Sequence, residues 1–526
     1  MTTGGGERAA RLRHLSLTHW PFLTVLAAGV VIRILVSVSF RPALMFVGDS
    51  YGYLLRAASL TPGVVRPVFY PLTILPFQRL DHIGLVPVAQ HVLGLGIGVA
   101  LYVLMRRLGI GAWGSTLAAA PILLDAYEIN IEQFIMAETL FTALVVVALM
   151  FLLWRSRPGW AASIGAGLCI AGATLTREVG VALIAPVIVF LLVRRAGLRR
   201  VGAALLAFAV PVVLYVAWYH AVHGEYGLSG HDGYFMYGRV ATFADCQRSE
   251  VPVSERLLCD PRPPSKRPFA NFYVWNSQSP FHRLLASPPR VNTILKDFSY
   301  RVIRHQPLDY ARTVLGDFLH FFTFGRTTGL QDEPLQIWQF AREMPILDHV
   351  YLSIPPCLAH PTDQCADHAK LCFHGGIGCM QLLSTGPAHP AIVRFLQGYQ
   401  RVVFAPGPLV ALALALGLAG GLGLRGRWRY RAESLLLSVV GILVLIVPVM
   451  TVMFDYRYML PALAVLPPGG VLGAVALRDR IRRRRSTRTE VAPDASSKGE
   501  VAGPPARPDL VSLAPGRGTK PEPEAP

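Results

Sequence analysis

Charge is what this chain has least of. Only 16% of its 526 residues are Asp, Glu, Lys or Arg, against 52% hydrophobic, and the mean hydropathy is +0.43. Soluble domains carry about 25% charged residues, so an ordinary soluble protein is excluded and a polytopic membrane protein is expected. Missing too are the alternating segments of roughly ten residues that build an outer-membrane barrel. The apolar runs are instead about 20 residues long, enough at ~1.5 Å per residue to cross a ~30 Å hydrocarbon layer as helix. No C-x-x-C spacing occurs, which argues against a structural zinc site. No internal repeat is evident, which weakens the case for a transporter built from duplicated halves. The first apolar stretch lacks a small-residue cleavage site and reads as an uncleaved anchor.

Acids are scarcer than bases, 32 against 50, and the formal net charge is +18. A nucleic-acid partner is nevertheless not expected, because the basic residues do not form one surface stripe. They fall in short clusters between apolar runs: Arg8, Arg11 and Arg13; Arg106 and Arg107; Arg155 and Arg157; Arg194, Arg195, Arg199 and Arg200; Arg425, Arg427, Arg429 and Arg431; and Arg482 to Arg485. That is the positive-inside pattern, which sets orientation in a membrane. Placing every cluster in the cytoplasm predicts ten spans, near 20–40, 84–105, 111–127, 134–153, 159–175, 179–193, 201–219, 402–424, 433–453 and 458–477. The expected organisation is an N-terminal membrane module (1–220), an extracytoplasmic region (221–401), C-terminal spans (402–477) and a disordered cytoplasmic tail (478–526). Six of the seven cysteines, Cys246, Cys259, Cys357, Cys365, Cys372 and Cys379, fall in the predicted exterior, where disulfides persist. Cys246 with Cys259 would close a short local loop. The stretch from Thr313 to Phe324 is apolar but too short to span, and is expected to lie on the outer leaflet as an interfacial helix.

The same parity puts the conspicuous charges on the outer side. Asp49 opens Asp49-Ser50-Tyr51-Gly52-Tyr53, with Arg66-Pro67-Val68-Phe69-Tyr70-Pro71 following. Asp125, Glu128 and Glu132 lead into Glu138-Thr139-Leu140-Phe141; Leu175-Thr176-Arg177-Glu178 forms a hairpin tip; and Asp455-Tyr456-Arg457-Tyr458 precedes the last span. Each has a structural reading beside the functional one. Asp49 caps a helix or acts as a base. Glu138 is an N-terminal helix acid or a site residue. Arg177 pairs with its neighbour Glu178 or holds a phosphate. Arg457 anchors the interface or contacts a phosphate. Arg33, inside the first span, is an ion-pair partner or part of a lipid-phosphate path. His220, His223, His231 and Asp232 form a loose outer cluster, either solvated or a divalent-metal site.

Taken in order, the first-loop Asp with Tyr-x-x-x-Ala, the Arg-Pro-x-x-Tyr-Pro, the Glu-Thr-Leu-Phe, the Leu-Thr-Arg and the late Arg-Tyr-x-x-Pro resemble the GT-C superfamily. These are polytopic glycosyltransferases that use polyprenyl-phosphate sugars, among them protein O-mannosyltransferases, aminoarabinose transferases and actinobacterial arabinofuranosyltransferases. The resemblance covers roughly residues 20–220 and 400–477. It implies an all-α polytopic fold of about ten spans with a disulfide-bearing outer region, set in a bacterial plasma membrane with its site facing outward. It implies Asp49 as catalytic base in an inverting displacement, Arg66, Arg177 and Arg457 on the donor phosphate, and Tyr53, Glu128, Glu138 and Tyr458 as supporting or substrate-binding residues. The expected partners are a polyprenyl-phosphate sugar, membrane lipids and an extracytoplasmic acceptor. A divalent metal is left open, and no nucleotide or redox cofactor is expected. One departure stands out: Gly48-Asp49-Ser50 has one acid where many relatives have two adjacent acids, leaving any second acidic role to Glu128, Glu132 or Glu138. A transporter or flippase for a lipid or anionic solute is the alternative, and a scaffold binding through its outer region is a further one.

Overall fold

The computed structural model describes residues 4–46, 48–285, 287–340, 342, 346–351, 370–372, 379–383, 388–423 and 430–490. Met1–Arg478 form one compact unit and Asp479–Pro526 another. The described residues are mostly helical. The first part comprises α1 (Gly4–Ser39), α2 (Asp49–Ser59), α3 (Phe69–Arg79), α4 (Leu85–Arg107), α5 (Ala112–Leu124), α6 (Ala126–Gln133), α7 (Glu138–Leu153) and α8 (Trp160–Thr176). A 3-10 turn, Glu178–Leu183, then leads into α9 (Ile184–Val193), followed by α10 (Leu198–His223).

Outside these helices stand α11 (Asp232–Ala241), α12 (Ala270–Trp275), α13 (Pro288–His305) and α14 (Pro307–His320). The chain closes with α15 (Pro390–Val402), α16 (Gly407–Leu422), α17 (Arg431–Thr451) and α18 (Leu466–Glu490). The described strands are Ile346–Tyr351 (β1), Lys370–Cys372 (β2) and Cys379–Leu383 (β3), antiparallel in the order β1-β3-β2.

Every stretch expected to span is helical, but the count of ten is not reached by length. Among the described residues, four helices are long and apolar enough to cross a membrane: residues 18–39 of α1, α4, α10 and α17. Two bent pairs, α15 with α16 (47°) and Tyr456–Ala464 with Leu466–Arg482 (48°), raise this to six. The rest, α5, α7, α8 and Glu178–Val193, are shorter apolar helices. Charged residues explain the shortness, since one end of each stops at one: Asp125 caps the end of α5, Glu138 opens α7, Arg177 ends α8 and Glu178 opens the next turn. Close packing holds the bundle together. A Cβ on Gly167 of α8 would stand 2.2 Å from the Ala204 carbonyl oxygen of α10, so only glycine permits that approach.

Residues between α10 and α14 build a small core of their own from Tyr237, Val240, Tyr273, Leu295, Phe298 and Val302, against which the expected Cys246–Cys259 disulfide packs. Helix α14 covers the first part of the stretch expected at the membrane surface, with Leu315, Leu319 and Phe324 exposed. The side chains of Cys357, Cys365, Cys372 and Cys379, and residues 491–526, lie outside the described residues. The last helix runs to Glu490, past the expected end of the final span at 477.

Arg33 resolves in favour of the ion pair. Its Nε and Nη2 donate to the two oxygens of Glu132 at 2.7 and 2.8 Å, and His91 Nδ1 lies 2.7 Å from the same carboxylate. Nη1 and Nη2 also donate to the carbonyls of Leu123 and Ile122 at 2.8 and 3.1 Å. Those carbonyls belong to the last turn of α5, which has no intrahelical donors for them, so a cation is well placed there. Both charged side chains are essentially fully buried. Removing one partner of such a pair costs about 3–5 kcal/mol because the other charge is left bare. Arg33→Met should therefore lower the thermal midpoint of the purified protein strongly, and Arg33→Met with Glu132→Leu should restore most of it.

Candidate functional site

Two loops are laced together before any charged residue of the site is placed. The Leu44 N–H donates to the Gln133 carbonyl at 3.1 Å and the Ile135 N–H to the Leu44 carbonyl at 3.2 Å, a short bridge between the chain before α2 and the chain before α7. Gln133 Nε2 donates to the Phe40 carbonyl at 2.8 Å, and Gln90 Nε2 to the carbonyls of Glu132 and Phe134, both at 2.7 Å. Asp49, first residue of α2, and Glu138, first residue of α7, are thereby set side by side.

Between them stands Arg457. Its Nη1 lies 2.8 Å from Asp49 Oδ2 and 3.7 Å from Glu138 Oε1, and its Nε lies 2.9 Å from Asp455 Oδ2. Asp455 also accepts from the Arg457 backbone N–H at 2.9 Å, capping the turn Tyr456–Met459 and fixing the arginine's direction. The guanidinium is flanked by Phe46, Trp338 and Tyr458, with ring centres 5.3, 5.3 and 5.2 Å away. Arg66 Nε approaches Asp49 Oδ1 at 3.0 Å, and Arg177 pairs with Glu138 while lying 5.6 Å from the Tyr458 ring centre. Three carboxylates and three guanidiniums thus share one buried cluster, drawn from the starts of α2 and α7, the end of α8, the loop at 66 and the turn at 457.

Six of the expected residues, Asp49, Arg66, Glu138, Arg177, Arg457 and Tyr458, are brought together here. Asp49 is the first residue of α2, after Gly48 at the N-cap position, and both of its oxygens face arginines. Arg177 pairs across the fold with Glu138, not with its neighbour Glu178. Tyr53 is buried against Tyr70, ring centres 4.7 Å apart, and burial together with the Asp49 charge pushes its phenol well up, so it stays protonated.

Glu128 stands apart: it is buried with neither carboxylate oxygen bonded among the described residues, and burial beside Glu132 and Asp125 pushes its carboxyl well up. Glu132, offered as an alternative second acid, is committed to Arg33. Asp455 and Trp338 complete the cluster without an expected role. The Asp-x-Arg spacing is a signal for the first, whereas nothing around Trp338 in the sequence points to its place.

Burial alone would raise the Asp49 carboxyl, but Arg66 and Arg457 more than offset it and hold the group well below the usual carboxylate range. Asp455 is pushed up by burial, with Arg457 opposing. The arrangement does not fit a resident divalent cation. The Asp49 oxygens and Glu138 Oε1 are already met by guanidinium groups, and among the described residues no three His, Cys, Asp or Glu side chains gather as ligands. The outer histidines are likewise dispersed, with His223 Nε2 3.0 Å from the Pro62 carbonyl and His220 stacked on Tyr226.

No known family profile and no characterised protein matches the sequence. Among solved structures the chain is similar to the oligosaccharyltransferase AglB from Archaeoglobus fulgidus, in complex with an inhibitory peptide and a dolichol-phosphate. The identity is 12% and the TM-score 0.38, over 93% of this chain and 53% of that one. It is also similar to ArnT from Cupriavidus metallidurans bound to undecaprenyl phosphate, with 15% identity and a TM-score of 0.32, over 90% and 81% of the two chains. This chain spans about half the length of AglB. At these scores the likeness supplies no residue correspondence, and the site stands on its own geometry.

A carboxyl whose folded-state pKa is depressed contributes stability that is present above its unfolded pKa of about 3.9 and is lost as pH falls through the folded value. The difference in thermal midpoint between wild type and Asp49→Asn should therefore be large at pH 7 and shrink on acidification below about pH 4, measured by melting across that range.

Proposed function

We propose that this chain is a membrane glycosyltransferase that moves one sugar from a polyprenyl-phosphate donor to an extracytoplasmic acceptor. The observation that carries the reading is Asp49 clamped between Arg66 and Arg457 at the end of an apolar bundle. A carboxylate of this kind can take a proton from an attacking hydroxyl, and arginines around it can receive the charge that builds on a departing phosphate. Arginine suits that task better than lysine because its planar fork matches phosphate oxygens.

In this reading the acceptor oxygen attacks the anomeric carbon, the bond from that carbon to the phosphate oxygen breaks, and the hydroxyl proton passes to Asp49. The electron pair of the broken bond leaves with the polyprenyl phosphate, against Arg457 and Arg66. A single displacement inverts the anomeric centre. The depressed Asp49 carboxyl is a poor base as it stands. Donor phosphate competing for Arg457 and Arg66 would loosen their hold on Asp49 and raise its affinity for a proton, so the base is enabled only when donor is present. Arg177 pairs with Glu138, whose Oε1 also lies 3.7 Å from Arg457 Nη1, so the pair helps to hold Arg457 in place.

The transporter alternative would need ionisable groups free along a path through the membrane. The buried Arg33–Glu132–His91 group is the feature that would favour it, but its bonds are closed and tied to the end of α5, which gives it a structural role.

The test is transfer of radiolabelled sugar from a lipid-linked donor in membranes holding the full chain. Asp49→Asn should lower the rate by about 10²-fold or more, the usual contribution of a general base. Arg457→Lys should lower it while Arg457-independent folding, read by melting and detergent solubility, is kept. Wild-type rates for both Asp49→Asn and Arg457→Ala would refute the site.

A further inference from the structure

The charged cluster opens to water at Arg66. Its side chain is 21% exposed, more than those of Asp49, Glu138, Arg177, Asp455 or Arg457. What borders that opening is aromatic. The Arg66 guanidinium lies 5.5 Å from the ring centre of Phe235 in α11. Phe235 in turn meets Trp275, the last residue of α12, edge to face with centres 6.0 Å apart. His231, just before α11, stacks on Tyr234 and on Trp275, with centres 4.7 and 5.7 Å away and planes inclined by 22° and 21°. Trp275 is thus held from two directions, yet 51% of it stays exposed. Single exposed apolar side chains are ordinary, but this one is fixed in orientation at the mouth of a buried charge cluster.

The polar groups next to these rings are fixed as well. Asp232, first residue of α11, accepts on Oδ1 from Asn292 Nδ2 and from the Gly233 N–H, both at 2.9 Å, and its Oδ2 lies 2.6 Å from Lys296 Nζ. Asn292 Oδ1 also accepts the Gly233 N–H at 2.9 Å, so one carboxylate and one amide join α11 to α13. The Asp232 and Lys296 side chains both reach solvent. One acid balances one base here, and burial pushes the His231 imidazole down to about 4, which leaves it uncharged at neutral pH. Nothing beside the rings therefore selects for a charged ligand. Among the described residues no strand lies between α10 and α14, so an extended peptide finds no sheet edge to pair with.

We propose that Trp275, with Asp232 and Lys296 beside it, is a platform for the acceptor, and that the acceptor is a carbohydrate chain. The inference rests on the glycosyltransferase reading of the preceding section and adds the chemical class of what receives the sugar. A sugar ring has a face of C–H groups bordered by hydroxyls. That face lies flat on the electron-rich face of an indole, while carboxylate and ammonium groups meet the hydroxyls around it. A lipid chain calls for a dry slot, not one open ring with charges at its side. From a unit resting on Trp275 the carbohydrate runs past Phe235 to Arg66, whose Nε stands 3.0 Å from Asp49 Oδ1, the proposed base. Trp275 is then a binding residue away from the reacting atoms, so it governs affinity for the acceptor and not the rate of the saturated enzyme.

The experiment uses native membranes in which the full chain, wild type or variant, is the sole copy. The donor is a radiolabelled lipid-linked sugar, and the acceptor probe is water-soluble envelope polysaccharide from the same cells. Label should enter material that resists proteinase K and stays out of chloroform–methanol. Trp275→Ala should raise the polysaccharide concentration for half-maximal transfer by about tenfold or more, the loss expected when an aromatic face is removed from a contact, with the maximal rate kept. Trp275→Tyr, which keeps a flat ring, should return most of the affinity, a rescue that loss of fold would not give. Label released by proteinase K, or extracted with the lipids, overturns the carbohydrate acceptor and leaves the transfer reaction standing. Labelled polysaccharide with unchanged half-saturation in Trp275→Ala overturns the platform, whether or not the maximal rate falls. A wild type that transfers to no fraction overturns the glycosyltransferase reading itself and this inference with it, a result distinct from the other two.

Discussion

One guanidinium sets the geometry of everything around it. Arg457 touches Asp49 and Glu138, each more than three hundred residues before it in the chain, and Asp455, two residues away. Desolvating a single arginine is expensive, and its cost is offset here only because carboxylates and ring faces surround it on all sides. The Asp455 side chain and the turn it caps fix where the guanidinium points. The bridge at Leu44 and Ile135 fixes where two of its partners wait.

That bridge depends in turn on a region with no chemistry of its own. Glu132 sits in α6, pinned by Arg33 and His91, and Gln90 and Gln133 tie the neighbouring backbone. Even the space is reserved: a Cβ on Gly94 would fall 1.9 Å from a Glu132 oxygen. The bonds between Arg33 and the end of α5 stop that helix where Asp125 must begin the next. A bundle this apolar gains little from burying further hydrocarbon against lipid, so polar bonds of this kind, made where water is absent, take over the task of specifying which loop meets which.

Much of this is legible from residue order alone, and the reason is the bilayer. Long apolar runs read out the helices, because charge is costly in lipid. Asp49, Arg66, Glu138, Arg177 and Arg457 are conspicuous as charges in apolar surroundings at one end. What the sequence does not show is pairing. Arg177 next to Glu178 invites a local ion pair, yet the bond runs to Glu138, 39 residues away. Glu128 and Glu132 look alike on paper, but among the described residues one is unpaired and the other is bound to Arg33. Trp338 lies in a segment without periodicity or motif, so only the folded chain brings it to the site. Two of the short helices, α7 and α8, escape a reading by length because Glu138 and Arg177, at their ends, belong to the site.

The closed state of the cluster has a consequence for how such a site could work. With three acids against three arginines it is nearly neutral overall, and each arginine already has an oxygen to bind. An entering phosphate therefore gains little from net charge and must instead displace a carboxylate from its partner. Asp49 is the carboxylate with the most to lose, since it faces two of the three arginines and is depressed by both. A phosphate that takes over those contacts hands Asp49 a reason to bind a proton. Glu138 keeps Arg177, and Asp455 keeps its backbone bond to Arg457. In the proposed reading, donor binding is thus coupled to the basicity of Asp49 through one exchange of partners.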